Sequence, residues 1–182
     1  MAQDRFDKTL WLALLTSLFS LAVVLTLNAS TSGDSRHGSK ELNKAMDREM
    51  AYRARVELIN KLYGPVENLR TNGHKPEALL KLDELIRTYP GEAHGYMLKG
   101  QILREMGAED EAVASYVEGV KLNGDYVDDK SPLSRRSEIQ RFVDEETKRI
   151  GARYAAEPGN RSIAVLLQKN NYLKSRLAGG CE

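Results

Sequence analysis

Hydrophobic residues form one uninterrupted segment near the start of the chain and shorter periodic stretches after it. The segment 9–27 reads TLWLALLTSLFSLAVVLTL and contains no charged residue. A helix needs about 20 apolar residues to cross the hydrocarbon core of a bilayer. A cleavable signal peptide would have a shorter apolar run and a small residue where this chain has Leu27. The pattern therefore predicts an N-terminal tail and one transmembrane helix within residues 1–27, with the lipid bilayer as the partner of residues 9–27.

Positive charges on the two sides of the predicted span indicate its orientation. Arg5 and Lys8 precede the span, whereas the first cation beyond it is Arg36, past a stretch rich in Ser and Thr. Basic residues favour the cytoplasmic side of a membrane. We expect a single-pass protein with a cytoplasmic N-terminus and with its body on the periplasmic or extracytoplasmic side.

A polar stretch separates the predicted span from the first periodic helix. Residues 28–40, NASTSGDSRHGSK, have the composition of a flexible linker that cannot offset its ordering entropy. Gly64-Pro65 is expected to end the helix that follows this linker. In that helix, apolar residues recur at every fourth position and form one face: Leu42, Met46, Met50, Ala54, Leu58 and Leu62.

Short turns divide the remainder of the chain into helical stretches. The turns lie at Asn72-Gly73, Gly107, Asn123-Gly124 and Pro158-Gly159. No alternating strand pattern occurs between them. Because helices joined by tight turns become antiparallel neighbours, the pattern predicts an all-α array of helical hairpins.

The segment 93–126 carries small and aromatic residues at regular positions in two successive helices: Tyr96, Gly100 and Leu103 in the first, and Ala112, Tyr116 and Gly119 in the second. In this respect it resembles the tetratricopeptide repeat (TPR), a unit of about 34 residues. Residues 59–92 resemble a degenerate copy that closes with Pro90.

The resemblance implies a domain organisation for the body of the protein. A TPR-like helical domain would occupy residues 41–126, and helices in 127–182 would cap it or dock a partner. A two-repeat array leaves apolar faces open, so elements at both ends must cover them. The helix 42–62 is expected to cover the other end.

In this family, the first helix of each repeat lines a groove that binds peptides or partner helices. The resemblance therefore implies a partner-binding groove at two sets of positions: Asn60, Tyr63, Glu67 and Arg70, and then His94, Met97, Gln101 and Arg104. These residues are mixed in polarity and lack the run of Lys, Asn and Arg with which some members hold a terminal carboxylate. The alternative is an ordinary solvated surface, with binding elsewhere.

The last predicted helix has a heptad-like pattern that allows two interpretations. The apolar residues follow an a/d alternation with an asparagine at an a-type position: Ile163, Leu166, Asn170, Leu173 and Leu177. The helix is either a cap packed on the repeats or a docking helix whose register with a partner is fixed by Asn170.

The charge distribution and the absence of known catalytic motifs argue against several classes of function. The formal net charge is +1, with 27 Lys and Arg against 26 Asp and Glu. Because the two signs are interspersed, we expect no nucleic-acid partner. The sequence has no phosphate-binding loop, dinucleotide fingerprint or metalloprotease motif, its three histidines are scattered, and Cys181 is its single cysteine. We expect no catalytic residue, no metal site, no cofactor and no small-molecule substrate.

Together these features predict a non-catalytic, membrane-anchored TPR adaptor or scaffold. It would mediate protein–protein interaction in the assembly or stabilisation of a membrane or periplasmic complex, with complex subunits or periplasmic clients as partners. One alternative is a permanent accessory subunit of a larger membrane complex, for example a respiratory one. The second alternative is a receptor whose repeats face the cytosol.

Overall fold

The computed structural model describes the backbone of residues 3–179 and the side chains of residues 16–24 and 40–179. No strand occurs in the described backbone, which confirms the all-α prediction. The helices are α1 Gln3–Thr71, α2 Lys75–Thr88, α3 Ala93–Glu105, α4 Glu109–Leu122, a 3-10 helix Gly124–Val127, α5 Arg136–Ala156 and α6 Arg161–Leu177.

The chain divides into two compact units, residues 1–56 and residues 57–182. In the first unit, the described side chains of residues 16–24 are all exposed, including Leu18, Phe19 and Val24. None of the helices in the described part of the chain is long and apolar enough to span a membrane. The side chains of residues 9–15 and 25–27, which complete the predicted span, lie outside the described residues. The transmembrane helix therefore stays a prediction.

Helix α1 differs from the sequence prediction at two places. It continues through residues 28–40, where a flexible linker was expected, because no proline interrupts the backbone hydrogen bonds there. It also continues past Pro65 to Thr71. Proline in a helix interior costs about 3 kcal/mol. The adjacent Tyr63 and Val66 are fully buried, and burial of two such side chains gains about 1.5–3 kcal/mol each.

Of the predicted apolar face of α1, Leu62 packs against buried residues of the second unit, whereas the earlier residues do not. Leu42, Met46 and Met50 are more than half exposed. In the second unit, the buried face of the helix begins instead with Ile59 and continues through Tyr63. An α-helix has 3.6 residues per turn, so residues spaced by four rotate gradually around its axis. Apolar residues at every fourth position therefore cannot all face the same neighbouring element over this length.

Two clusters of buried side chains form the core of the second unit. The first joins the end of α1 with α2 and α3: Ile59, Tyr63, Val66, Ala78, Leu82, Leu98 and Ile102. The second joins α3 and α4 with the 3-10 helix, α5 and α6, and includes Met97, Tyr116, Phe142 and Leu173. Leu133 packs against both clusters. Residues 127–179 therefore share a core with α3 and α4 and do not form a separate C-terminal region.

Glycine positions allow α3 and α4 to approach closely. A Cβ atom on Gly100 would lie 3.0 Å from three ring atoms of Tyr116, and one on Gly119 would lie 2.5 Å from the sulfur of Met97. Ala112 is fully buried beside them. Real Cβ atoms tolerate such distances only if the neighbour moves, and the aromatic ring of Tyr116 is itself packed on Phe142 with ring centroids 5.4 Å apart.

We expect Gly100→Leu to lower the free energy of unfolding by about 3 kcal/mol, since overpacking of a tight core is costly. Urea unfolding followed by circular dichroism measures this loss. The matched control is Gly151→Leu in α5, where nothing lies within 4 Å of the added Cβ. That control should be neutral or stabilising by roughly 0.5–1 kcal/mol, because leucine favours a helix over glycine. Equal stability of the two variants would contradict the close contact of α3 and α4.

Candidate interaction surface

Three of the predicted groove residues lie inside the core. Tyr63, His94 and Met97 have relative exposures of 1%, 9% and 0%. Nδ1 of His94 lies 3.1 Å from the hydroxyl oxygen of Tyr126, and its ring centroid is 4.9 Å from that of Tyr63. Burial raises the pKa of Tyr63 to about 12. These side chains join α1, α3 and the 3-10 helix and cannot contact a partner.

Helix α5 and the residue before it, Arg135, contact the two predicted groove residues that follow on α3. Oε1 of Gln101 accepts a hydrogen bond from Nη1 of Arg135 at 2.7 Å. The guanidinium carbon of Arg104 lies 6.0 Å from the ring centroid of Phe142, within the range of a cation–π interaction. The predicted groove is therefore partly covered by a helix that the sequence analysis had treated as a cap.

The other three groove residues predicted on α1 are exposed or bound to other side chains. Asn60 is exposed. Nε of Arg70 donates to Oε2 of Glu67 and Nη1 donates to Oε1 of Glu105, each at 2.7 Å. Lys75 adds a hydrogen bond to the backbone oxygen of Glu105 at 3.1 Å. This network ties the last turn of α1 to the last turn of α3.

An open polar cleft of about 330 Å³ lies where α5 passes the turn between α3 and α4. It is lined by Arg104, Glu109, Arg141, Phe142, Glu145 and Glu146. Within the described part of the chain, Arg104, Glu109 and Glu145 form no ion pair. The cleft thus presents charges of both signs to solvent beside the buried ring of Phe142, a composition suited to charged side chains of another protein.

Ion pairs hold α5 across the start of α4 and so fix one wall of the cleft. Nη1 of Arg153 donates to both carboxylate oxygens of Asp110, at 2.9 and 2.8 Å, and Arg149 donates to the same carboxylate. Arg149 also pairs with Glu146, which is buried. Partial burial would raise the pKa of Asp110, but hydrogen bonds from Arg149 and Arg153 outweigh it and hold that pKa below its ordinary value.

The five residues of the predicted docking helix are all buried within the chain. Ile163, Leu166, Asn170, Leu173 and Leu177 are at most 7% exposed and belong to α6. Nδ2 of Asn170 donates to Oγ1 of Thr147 on α5 at 2.8 Å. The side chains that suggested docking therefore pack on α4 and α5, which agrees with the capping interpretation. The asparagine bonds within the chain and does not face a partner.

The sequence analysis missed the contribution of α5 to the candidate surface. The contact of Phe142 with Arg104 depends on how α5 lies against α3. The charges of Arg141 and Glu145 resemble those of any solvated helix face, so no pattern marks them. In the part of the chain that the structure describes, no group of three or more His, Cys, Asp or Glu side chains could hold a metal ion.

Comparison with known proteins gives no family for this chain. Neither a protein-family model nor a curated protein matches it.

Replacing Asn170 tests whether its side chain stabilises the contact between α5 and α6. Oδ1 of Asn170 is buried with no hydrogen-bond partner among the described residues, whereas Oγ1 of Thr147 also donates to the backbone oxygen of Val143 at 2.7 Å. We expect Asn170→Leu to be neutral or to stabilise by about 1 kcal/mol, since an apolar group of similar shape removes an unsatisfied acceptor.

The companion variant Thr147→Val should destabilise by about 1–3 kcal/mol, because it leaves the buried Asn170 amide without an acceptor. The double variant should recover most of this loss. A double-mutant cycle from urea unfolding measures the coupling. Additive effects of the two substitutions would contradict the bond between α5 and α6.

Acidic pH should weaken the contact of α5 with α4. The folded-state pKa of Asp110 is depressed, so its stabilising effect is present above the unfolded value of about 3.9 and is lost as pH falls through the lower folded value. The Asp110 side chain is 39% exposed, so solvent screening limits this contribution to less than about 1 kcal/mol. Urea unfolding between neutral and acidic pH should show a smaller loss for Asp110→Asn than for the unsubstituted protein; an equal loss would contradict the assignment.

Proposed function

We propose that this chain is a non-catalytic, membrane-anchored adaptor whose TPR-like helical domain binds other proteins during the assembly or stabilisation of a membrane or periplasmic complex. The observation that carries the proposal is the open cleft beside α5, in which charged side chains of α3, α4 and α5 converge without pairing to one another. A second protein can supply the missing charges.

The geometry of Arg104 supports recognition of a partner side chain. Its guanidinium rests on the ring of Phe142, which is itself fully buried, so the donor groups are held in place before binding. Preorganised groups lose less conformational entropy when they bind. An acidic side chain of the partner would bind at Arg104 and Arg141, and a basic one at Glu109 or Glu145.

The exposed apolar residues of the first unit support the membrane anchor. Leu18, Phe19, Leu21, Val23 and Val24 are exposed on one short stretch of helix, where water would be an unfavourable environment. Together with the charge-free segment 9–27, this exposure favours insertion in a bilayer. The charge asymmetry around that segment favours an extracytoplasmic domain.

The test is purification of the tagged full chain from alkaline-washed membranes in mild detergent, followed by quantitative mass spectrometry. We expect Glu145→Lys to reduce the recovered partners about tenfold, since a reversed charge in a recognition cleft repels the groups it should attract. The matched control is Asp144→Lys on the same helix. Among the described residues, Asp144 accepts a bond only from Gln140 and does not line the cleft, so its effect should stay below about twofold.

The outcomes separate the competing functions. Varied proteins in substoichiometric amounts would support the adaptor, and a fixed-ratio set of membrane proteins would identify a permanent accessory subunit instead. Absence of the chain from washed membranes would overturn the anchor. Equal losses for the two lysine variants would overturn the cleft as the binding surface.

A further inference from the structure

A second surface, between α4 and α6, combines an apolar cleft with positive charge. The cleft has a volume of about 260 Å³ and is lined by Val117, Lys121, Val165, Gln168, Lys169 and Tyr172. Val165 is 45% exposed and leaves apolar surface in contact with solvent at the cleft. This surface, here named the α4–α6 face, shares no residue with the polar cleft beside α5.

The charge of α6 is one-sided. Its sequence, RSIAVLLQKNNYLKSRL, contains four basic residues and no acidic residue, although the whole chain has a net charge of only +1. Arg161, Val165 and Lys169 lie four residues apart and therefore on the same side of the helix. Arg161 and Lys169 form no ion pair with any described residue.

Helix α4 completes the positive rim. Nζ of Lys121 lies 6.0 Å from the ring centroid of Tyr172, so the ammonium group is held over the edge of the cleft. Its partner is Glu118, three residues earlier, at 3.0 Å. Both side chains are about half exposed, so this pair is weak and a carboxylate from another molecule can compete with Glu118.

The size of the cleft indicates what enters it. Pockets for small-molecule ligands are usually about 300–1,000 Å³ and enclosed, whereas this cleft is smaller and open. It suits one aliphatic or aromatic side chain of a protein segment. From Arg161 to Tyr172, α6 comprises twelve residues and extends over about 16 Å at a rise of 1.5 Å per residue, so a partner helix along it would make about three turns.

We propose that the α4–α6 face docks an acidic amphipathic helix of a partner protein, with one apolar side chain in the cleft and carboxylates at Lys121, Lys169 and Arg161. The inference rests on the proposed adaptor function and names the chemistry of one partner. An anionic lipid surface is less well matched, because lipid recognition uses clusters of about 4–8 basic residues, and this face has three cations around an apolar cleft.

The experiment uses the full chain in nonionic detergent and a fluorescein-labelled helical peptide of Glu, Ala and Leu, with its Leu residues on one side. Fluorescence anisotropy gives the dissociation constant. We expect binding that weakens with salt, no binding of the peptide with Lys in place of Glu, and about tenfold weaker binding for Lys169→Glu or Val165→Asp.

Lys174→Glu is the matched control, because Lys174 is an exposed cation of the same helix that does not line the cleft. It should change the dissociation constant by less than about twofold. Circular dichroism melting of each variant establishes that it is folded. An equal loss in Lys174→Glu, or equal binding of the two peptides, would overturn the proposed docking face.

Two further outcomes distinguish the remaining explanations. Displacement of the acidic peptide by soluble short-chain phosphatidylglycerol, but not by phosphatidylcholine, would assign the face to lipid and overturn the proposal. If the Lys169→Glu chain still co-purifies from membranes with the full set of partners, the docking face is wrong while the adaptor function stands. If the unsubstituted chain co-purifies with no protein, the adaptor function itself fails.

Discussion

The packing of the second unit depends on the short distance between α3 and α4. Gly100 and Gly119 leave room for the side chains of Tyr116 and Met97, so the two helices bury their facing sides completely. Tyr116 then extends beyond this contact to Phe142 of α5. Met97 and Tyr116 both belong to the larger core cluster, and α5 and α6 are built on it. Larger residues at these two positions would push α3 and α4 apart. The contacts of α5 and α6 with the core would then be disturbed.

The position of α5 separates two surfaces of different chemistry, the polar cleft beside α5 and the α4–α6 face. On one side, Arg149 and Arg153 bind Asp110 of α4, and the polar cleft opens beside this network. On the other side, α5 packs against α6 through the bond from Asn170 to Thr147. This packing leaves the basic side of α6 next to α4 and open to solvent. Two surfaces of different chemistry suit a protein that holds two partners or two parts of one partner.

The histidine between two tyrosines shows why part of the predicted groove is buried. His94 follows the helix cap Glu92, whose side chain accepts from the His94 backbone amide at 3.3 Å, and this position on the first turn of α3 would face a groove in a regular repeat. Tyr63 of α1 and Tyr126 of the 3-10 helix after α4 cover it. Burial of a polar ring requires a hydrogen-bond partner, which the hydroxyl of Tyr126 provides.

The sequence by itself determined the helical class and the turns after α1, α3, α4 and α5, because these depend on local periodicity and on glycine, proline and asparagine within a few residues. Only the tertiary structure decided that Pro65 stays inside a helix, that Met97 is buried, and that Phe142 lies under Arg104. Those outcomes depend on contacts between residues distant in the sequence, such as Arg135 with Gln101. A local pattern contains no information about which charged helix face will meet another.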